Sequence, residues 1–112
     1  MNNIDLQYNN LLALLEKELI QYETIIDLFN LKQQAILSGN IEDLKGIVEN
    51  IQSNSTSAKN LQEERDILTR LLLGEFNYNG SITMKSLMNV LDAARSSNLE
   101  MIYYKLKSAA MR

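Results

Sequence analysis

Residues 8–36, YNNLLALLEKELIQYETIIDLFNLKQQAI, decide the fold. Stepping alternately by four and three from Tyr8 reaches Leu12, Leu15, Leu19, Tyr22, Ile26, Phe29, Gln33 and Ile36, an apolar row broken only at Gln33. That spacing is a coiled-coil seam. A second row, Leu11, Leu14, Ile25 and Leu28, runs beside it and makes the apolar face wider than a two-stranded zipper needs. A helix with such a face requires two neighbours.

The rest of the composition bounds what those neighbours are. A chain of 112 residues, 46% apolar and 22% charged, has room for one domain and is ordinary for a soluble fold. It has no proline and four glycines, Gly39, Gly46, Gly74 and Gly80, so helices of about 30 residues meet little obstruction. The expected class is all-α, a long antiparallel helical hairpin with a shorter, kinked third helical segment: a three-helix bundle or coiled coil in one domain over 1–112. Cysteine and histidine are absent, which excludes disulfides, thiolate nucleophiles, imidazole bases and the usual zinc ligands. No cofactor or metal is expected. No apolar run is long enough to span a bilayer, and residues 1–8 lack the basic start and greasy core of a signal peptide, so a cytoplasmic protein is expected, without stable membrane insertion.

Charge is unevenly placed. Residues 1–83 hold 12 acids and 6 bases, net -6, and residues 84–112 hold 2 acids and 5 bases, net +3, which sum to the chain's -3. A basic tail on an acidic body either folds back on it or also faces a partner. Nucleic acid is not that partner, because Lys85, Arg95, Lys105, Lys107 and Arg112 are scattered and the body would repel phosphate.

Along the chain, a first helix is expected over 4–37, roughly 50 Å long at 1.5 Å per residue. Ser38-Gly39-Asn40 ends it, with Gly39 as a left-handed C-cap and Asn40 as the N-cap of a second helix over 41–73. The second helix repeats the spacing at Ile47, Ile51, Asn54, Ala58, Leu61, Arg65, Leu68 and Leu72. Its middle, Gln52 to Ser57, is six polar residues and reads either as a linker or as a continuous helix with a poorly packed waist. Lys59 with Glu63 and Asp66 with Arg70 sit four apart and can pair on the surface. Residues 74–83, GEFNYNGSIT, are expected to be a loop, either a small hairpin or a plug carrying Phe76 and Tyr78 to the bundle end beside Leu12 and Leu72. Thr83 should cap a helical segment over 84–95, and a kink at Arg95-Ser96-Ser97-Asn98 should separate it from another over 98–111.

No catalytic site is expected. Glu63, Glu64 and Asp66 are spaced as a solvated helix surface, and no phosphate loop, serine elbow or paired-cysteine motif occurs. Four of the five methionines follow residue 83: Met84 and Met88 are expected to fill the core, and Met101 and Met111 suit either the core or a surface that repacks. Length supplies the functional argument. Two helices of about 33 residues leave a groove that a last segment of roughly 20 Å cannot cover. Apolar positions toward the Gly39 turn, Ile26, Phe29, Ile36, Leu44, Val48 and Ile51, are then open to another copy or to a partner's amphipathic helix.

Three stretches in order, LLALLEKELIQYETIIDLFNLKQQAILSGNIEDLKGIV at 11–48, LQEERDILTRLL at 61–72 and ITMKSLMNVL at 82–91, together resemble the FlgN-type flagellar export chaperones. Members have a long first helix ending in such a Ser-Gly-Asn turn, a Glu-Arg pair like Glu64-Arg65, and a Thr-capped Leu-rich segment like Thr83 to Leu91. The resemblance implies a chaperone of the bacterial cytoplasm that binds the amphipathic terminal helix of hook-filament junction proteins (hook-associated proteins). It would prevent their premature assembly before type III export for flagellum biogenesis. It also implies client contacts on the C-terminal helix, here Leu99, Ile102, Tyr103 and Leu106, and a tyrosine that docks at the flagellar export gate, here Tyr103 or Tyr104. Family members continue for several helical turns past the position of Arg112, and that portion is much of their client-binding helix. The alternative is a structural coiled-coil protein that fills the same groove by self-association as a homo-oligomer, with no client.

Overall fold

The computed structural model describes residues 3–111; Met1 and Arg112, counted above among the methionines and the basic residues, lie outside them. The chain is all-α: α1 (Asn3–Ser38), α2 (Ile41–Glu75), α3 (Met84–Val90) and α4 (Ala93–Ala110), with no strand among the described residues. The α1–α2 turn follows from two residues. Gly39 takes φ 71°, a left-handed angle that a Cβ disfavours. The Asn40 side chain accepts a hydrogen bond from the Asp43 N–H at 3.2 Å, capping α2.

Glu18 of α1 pairs with Arg65 of α2 at 3.6 Å, and the Gln21 amide donates to the Asn54 side chain, so the two helices run antiparallel. These contacts, with buried Leu11, Leu14 and Ala35, place the row 11-14-18-21-35 against α2. The four-three row from Tyr8 to Ile36, one step round the helix, instead forms the side on which α4 lies. Leu12 and Glu16 of that side border a small groove with Asn98, Met101, Ile102 and Lys105 of α4. Both neighbours of α1 exist, but the second stops short.

Residues 52–57 are helical without interruption. The polar side chains there turn back on their own helix: Asn54 donates to the Asn50 carbonyl at 2.8 Å and Thr56 to the Gln52 carbonyl at 3.1 Å, which absorbs the donors that would otherwise compete with the backbone. The helix continues two residues beyond the expected end and stops at Glu75. Phe76 and Tyr78 then pack on the core that contains Leu72. The Tyr78 hydroxyl donates to Ser86 Oγ at 3.0 Å, and Ser86 N–H donates to the capping Thr83 hydroxyl at 3.0 Å.

The expected kink at Arg95 to Asn98 is corrected. The break falls at Leu91-Asp92, and residues 95–98 lie inside α4, so the segments are 84–90 and 93–110 rather than 84–95 and 98–111. Asp92 decides it, because its carboxylate accepts from the Arg95 N–H at 2.9 Å. Such a cap is worth about 1 kcal/mol, more than the few tenths lost by placing each serine in a helix. The start of α4 is also clamped to α1. The Tyr8 hydroxyl donates to the Arg95 carbonyl at 2.8 Å, the Arg95 guanidinium pairs with Asp5, and it lies 5.6 Å above the Tyr8 ring. Among the described residues the other ion pairs are Arg65–Glu18 and Arg95–Asp92, and neither Lys59 with Glu63 nor Asp66 with Arg70 is joined.

The continuous core is Tyr8, Leu11, Leu15, Leu72, Leu73, Met84, Leu87, Leu91, Leu99 and Leu106. All of it lies at the end of the hairpin far from Gly39. Leu99→Ala is expected to lower the urea-derived stability by about 2–5 kcal/mol, since the side chain is fully buried, whereas Gly39→Ala should cost only about 1 kcal/mol.

Candidate functional site

At 18 residues, α4 is about 27 Å long, against about 54 Å for the 36 residues of α1. Its last turn reaches only the middle of the hairpin. There Ala109 and Ala110 border a cavity of about 350 Å³ with Tyr22, Ile25, Ile26 and Phe29 of α1 and Ser55, Ala58, Lys59 and Gln62 of α2. From this step to the Gly39 turn the groove has two walls and no lid among the described residues. Phe29 and Ile36 are exposed, and Ile26, Leu44, Val48 and Ile51 are half-buried. At the tip, Leu37 is 87% and Ile41 78% exposed. The opposite face at mid-height is polar, a cleft of Lys17, Gln21, Thr24, Asn54, Ser57 and Asn60 with Ile20 and Leu61 at its edge.

The rim of the apolar groove is charged. Lys59 of α2 lines the cavity beside Ala109, and Lys32 of α1 lines the distal depression with Gln33 and Ile36. The Lys32 ammonium covers the Phe29 ring at 5.8 Å. Where α4 occupies the groove, Lys105 and Glu16 border the same surface depression, so this chain already seats a basic residue near an acidic one.

The residues that the family resemblance implies on α4 separate into two groups. Leu99 and Leu106 are core side chains, buried among Leu15, Leu87 and Leu91, and are corrected as a contact surface because their apolar area is already withdrawn from water. Ile102 and Tyr103 are half-buried against that core, and Tyr104 is 72% exposed. Tyr103 lies under the Arg65 guanidinium at 5.9 Å and the Lys107 ammonium at 5.5 Å.

Sequence reasoning missed Glu18. It is 1% exposed, neither carboxylate oxygen has a hydrogen-bond partner, and Arg65 is its ion pair. Through Arg65 it joins α1, α2 and Tyr103 of α4, about two helical turns before α4 ends. The available signal was its place in the second row, four residues after Leu14, where an apolar side chain belongs. Burial raises the Glu18 pKa above its ordinary value, with Arg65 opposing that and Asp66 adding to it.

Among the described residues no three acidic side chains converge as a metal site, and no helix is long and apolar enough to cross a membrane. Compared with protein-family models, with curated proteins and with solved structures, the chain finds no match.

The raised Glu18 value sets a sign for pH. The folded state holds this proton more tightly than the unfolded state, so the group's contribution is full below its ordinary value and is lost as pH rises through the raised one. Thermal melts of Glu18→Gln should therefore show a Tm at pH 7 equal to or above that of the unmodified chain, and a flatter dependence below it. A Tm that falls sharply at every pH would mean that the Arg65 pair dominates.

Proposed function

We propose that the chain is a helix-binding chaperone of the FlgN type, whose uncovered groove holds the amphipathic terminal helix of a hook-filament junction protein and keeps it from assembling early. What supports this is one observation, the apolar groove that continues past Ala109 with no third helix in it among the described residues. A helix offering apolar residues at i, i+3, i+4 and i+7 would extend the line of α4. The client surface then centres on Ile26, Phe29, Ile36, Leu44, Val48 and Ile51, with Ile102 and Tyr103 supporting it from α4. Exposed Tyr104 is assigned to contact with the export gate.

Titration with a fluorescent peptide of a junction protein's terminal helix tests this reading. Phe29→Asp and Ile36→Asp sit on exposed sites and should leave the circular dichroism unchanged while weakening binding about tenfold or more, the loss expected when one buried aromatic or aliphatic contact is removed. Tyr104→Ala should bind the peptide as the parent does and lose only the gate interaction. Absence of binding by the parent chain to any junction-protein helix would overturn the proposal.

A further inference from the structure

We infer that two copies of this chain pair antiparallel through the open halves of their hairpins, each closing the other's groove, with Gln33 at the two-fold axis. This pairing goes beyond the chaperone reading and does not depend on it.

Sterics select the direction. The near half of the groove is filled by α4, so a second copy approaching that face can engage only the distal half. A parallel approach drives one α4 into the other, whereas reversing the second hairpin superposes the open halves and carries the two α4 helices apart. The interface is isologous, as closed dimers require. The open stretch of α1 runs from about Ile26, level with Ala109, to Gly39, which is roughly 20 Å. Its midpoint is residue 32 or 33, and the midpoint of the matching stretch of α2, from Ile41 to Ala58, falls between Val48 and Ile51.

Three independent features meet at this arrangement. The first is Gln33, the polar break in the four-three row. A primary amide carries both donors and an acceptor, so on a two-fold axis it satisfies its own copy, and one such polar pair in an apolar seam fixes register. A foreign helix would have to bring a matching polar group to that spot. The second lies at the ends. Antiparallel pairing sets each Gly39 turn against the other copy's α4 terminus, which joins Leu37 and Ile41 to Met111. These are the three most exposed large apolar side chains among the described residues, at 87%, 78% and 86%. The third is charge: Lys59, beside the end of α4, comes to the acidic first turn of the partner's α2, Glu42 and Asp43. A client helix and a second copy therefore compete for one groove.

The cysteine-free chain makes the test direct. Light scattering of the parent should give twice the 12.8 kDa of one chain. Gln33→Glu, which opposes two carboxylates on the axis, should return the mass to 12.8 kDa at neutral pH with unchanged helicity. Under mild oxidation Gln33→Cys should form a disulfide-linked dimer at least about tenfold faster than Glu75→Cys, because only the first pair of thiols is held at high effective concentration. A parent that scatters as a single chain at all concentrations, or equal cross-linking at both positions, overturns the inference. A monomer that still binds the junction-protein helix would reject the pairing and leave the proposed function standing. A dimer indifferent to that helix would do the reverse.

Discussion

A hairpin twice as long as the helix that covers it is the constraint from which the remaining structure follows. α1 carries two adjacent apolar rows for nearly its whole length, and a helix with two such rows is stable in water only where two neighbours bury them. Over its first 20 or so residues it has both. There the hydrophobic core gathers from all four helices, and no residue from 23 to 67 belongs to that cluster. Beyond Ile26 α1 has one neighbour, and burial falls to isolated small side chains such as Ala35, where the two backbones approach. The molecule is a packed head with a two-helix extension, 56 Å in its longest dimension.

Much of this was legible because it is written in local chemistry. Gly39 and Asn40 announce the turn, Thr83 announces the start of α3, and the unbroken four-three rhythm on both sides of Gln52 to Ser57 argues against a linker, as the continuous helix shows. What failed depended on tertiary partners. A run of Arg, Ser, Ser and Asn looks like a joint when only propensity is weighed. Asp92, three residues earlier, is the stronger cap, and the Arg95 carbonyl is held by a tyrosine 87 positions away, a contact no local pattern contains. Likewise Leu99 and Leu106 carry the same stripe whether they serve a core or a client. Only the position of α4 against Leu15 and Leu87 decides, and it makes them core.

Glu18 belongs to the same class of long-range fact. A carboxylate with both oxygens unpartnered and a single ion pair at 3.6 Å is a net burden on a helix interface, because desolvation of two charges commonly exceeds their attraction. Its location gives it a use that energy alone does not. Arg65 reaches Glu18 on one side and the Tyr103 ring on the other, so the polar link ties three helices together about two turns before α4 ends. An apolar residue at 18 would bury more comfortably, but it would set no preference for how α4 lies in the groove. A charged pair does so, because a shifted α4 leaves Arg65 without its aromatic face.

The bare half of the hairpin is consequently the part of the chain whose order is most open to influence. Isolated helix pairs of this size draw little stability from propensity and depend on tertiary packing, and here that packing is one-sided. Local opening free energies must therefore decline from the Tyr8–Arg95 clamp toward the Gly39 turn. A helix seated in such a groove would gain apolar contact and order the walls at once, so part of its binding energy would go to stiffening the hairpin. A groove that must be ordered by its occupant holds that occupant less tightly than the buried area alone implies.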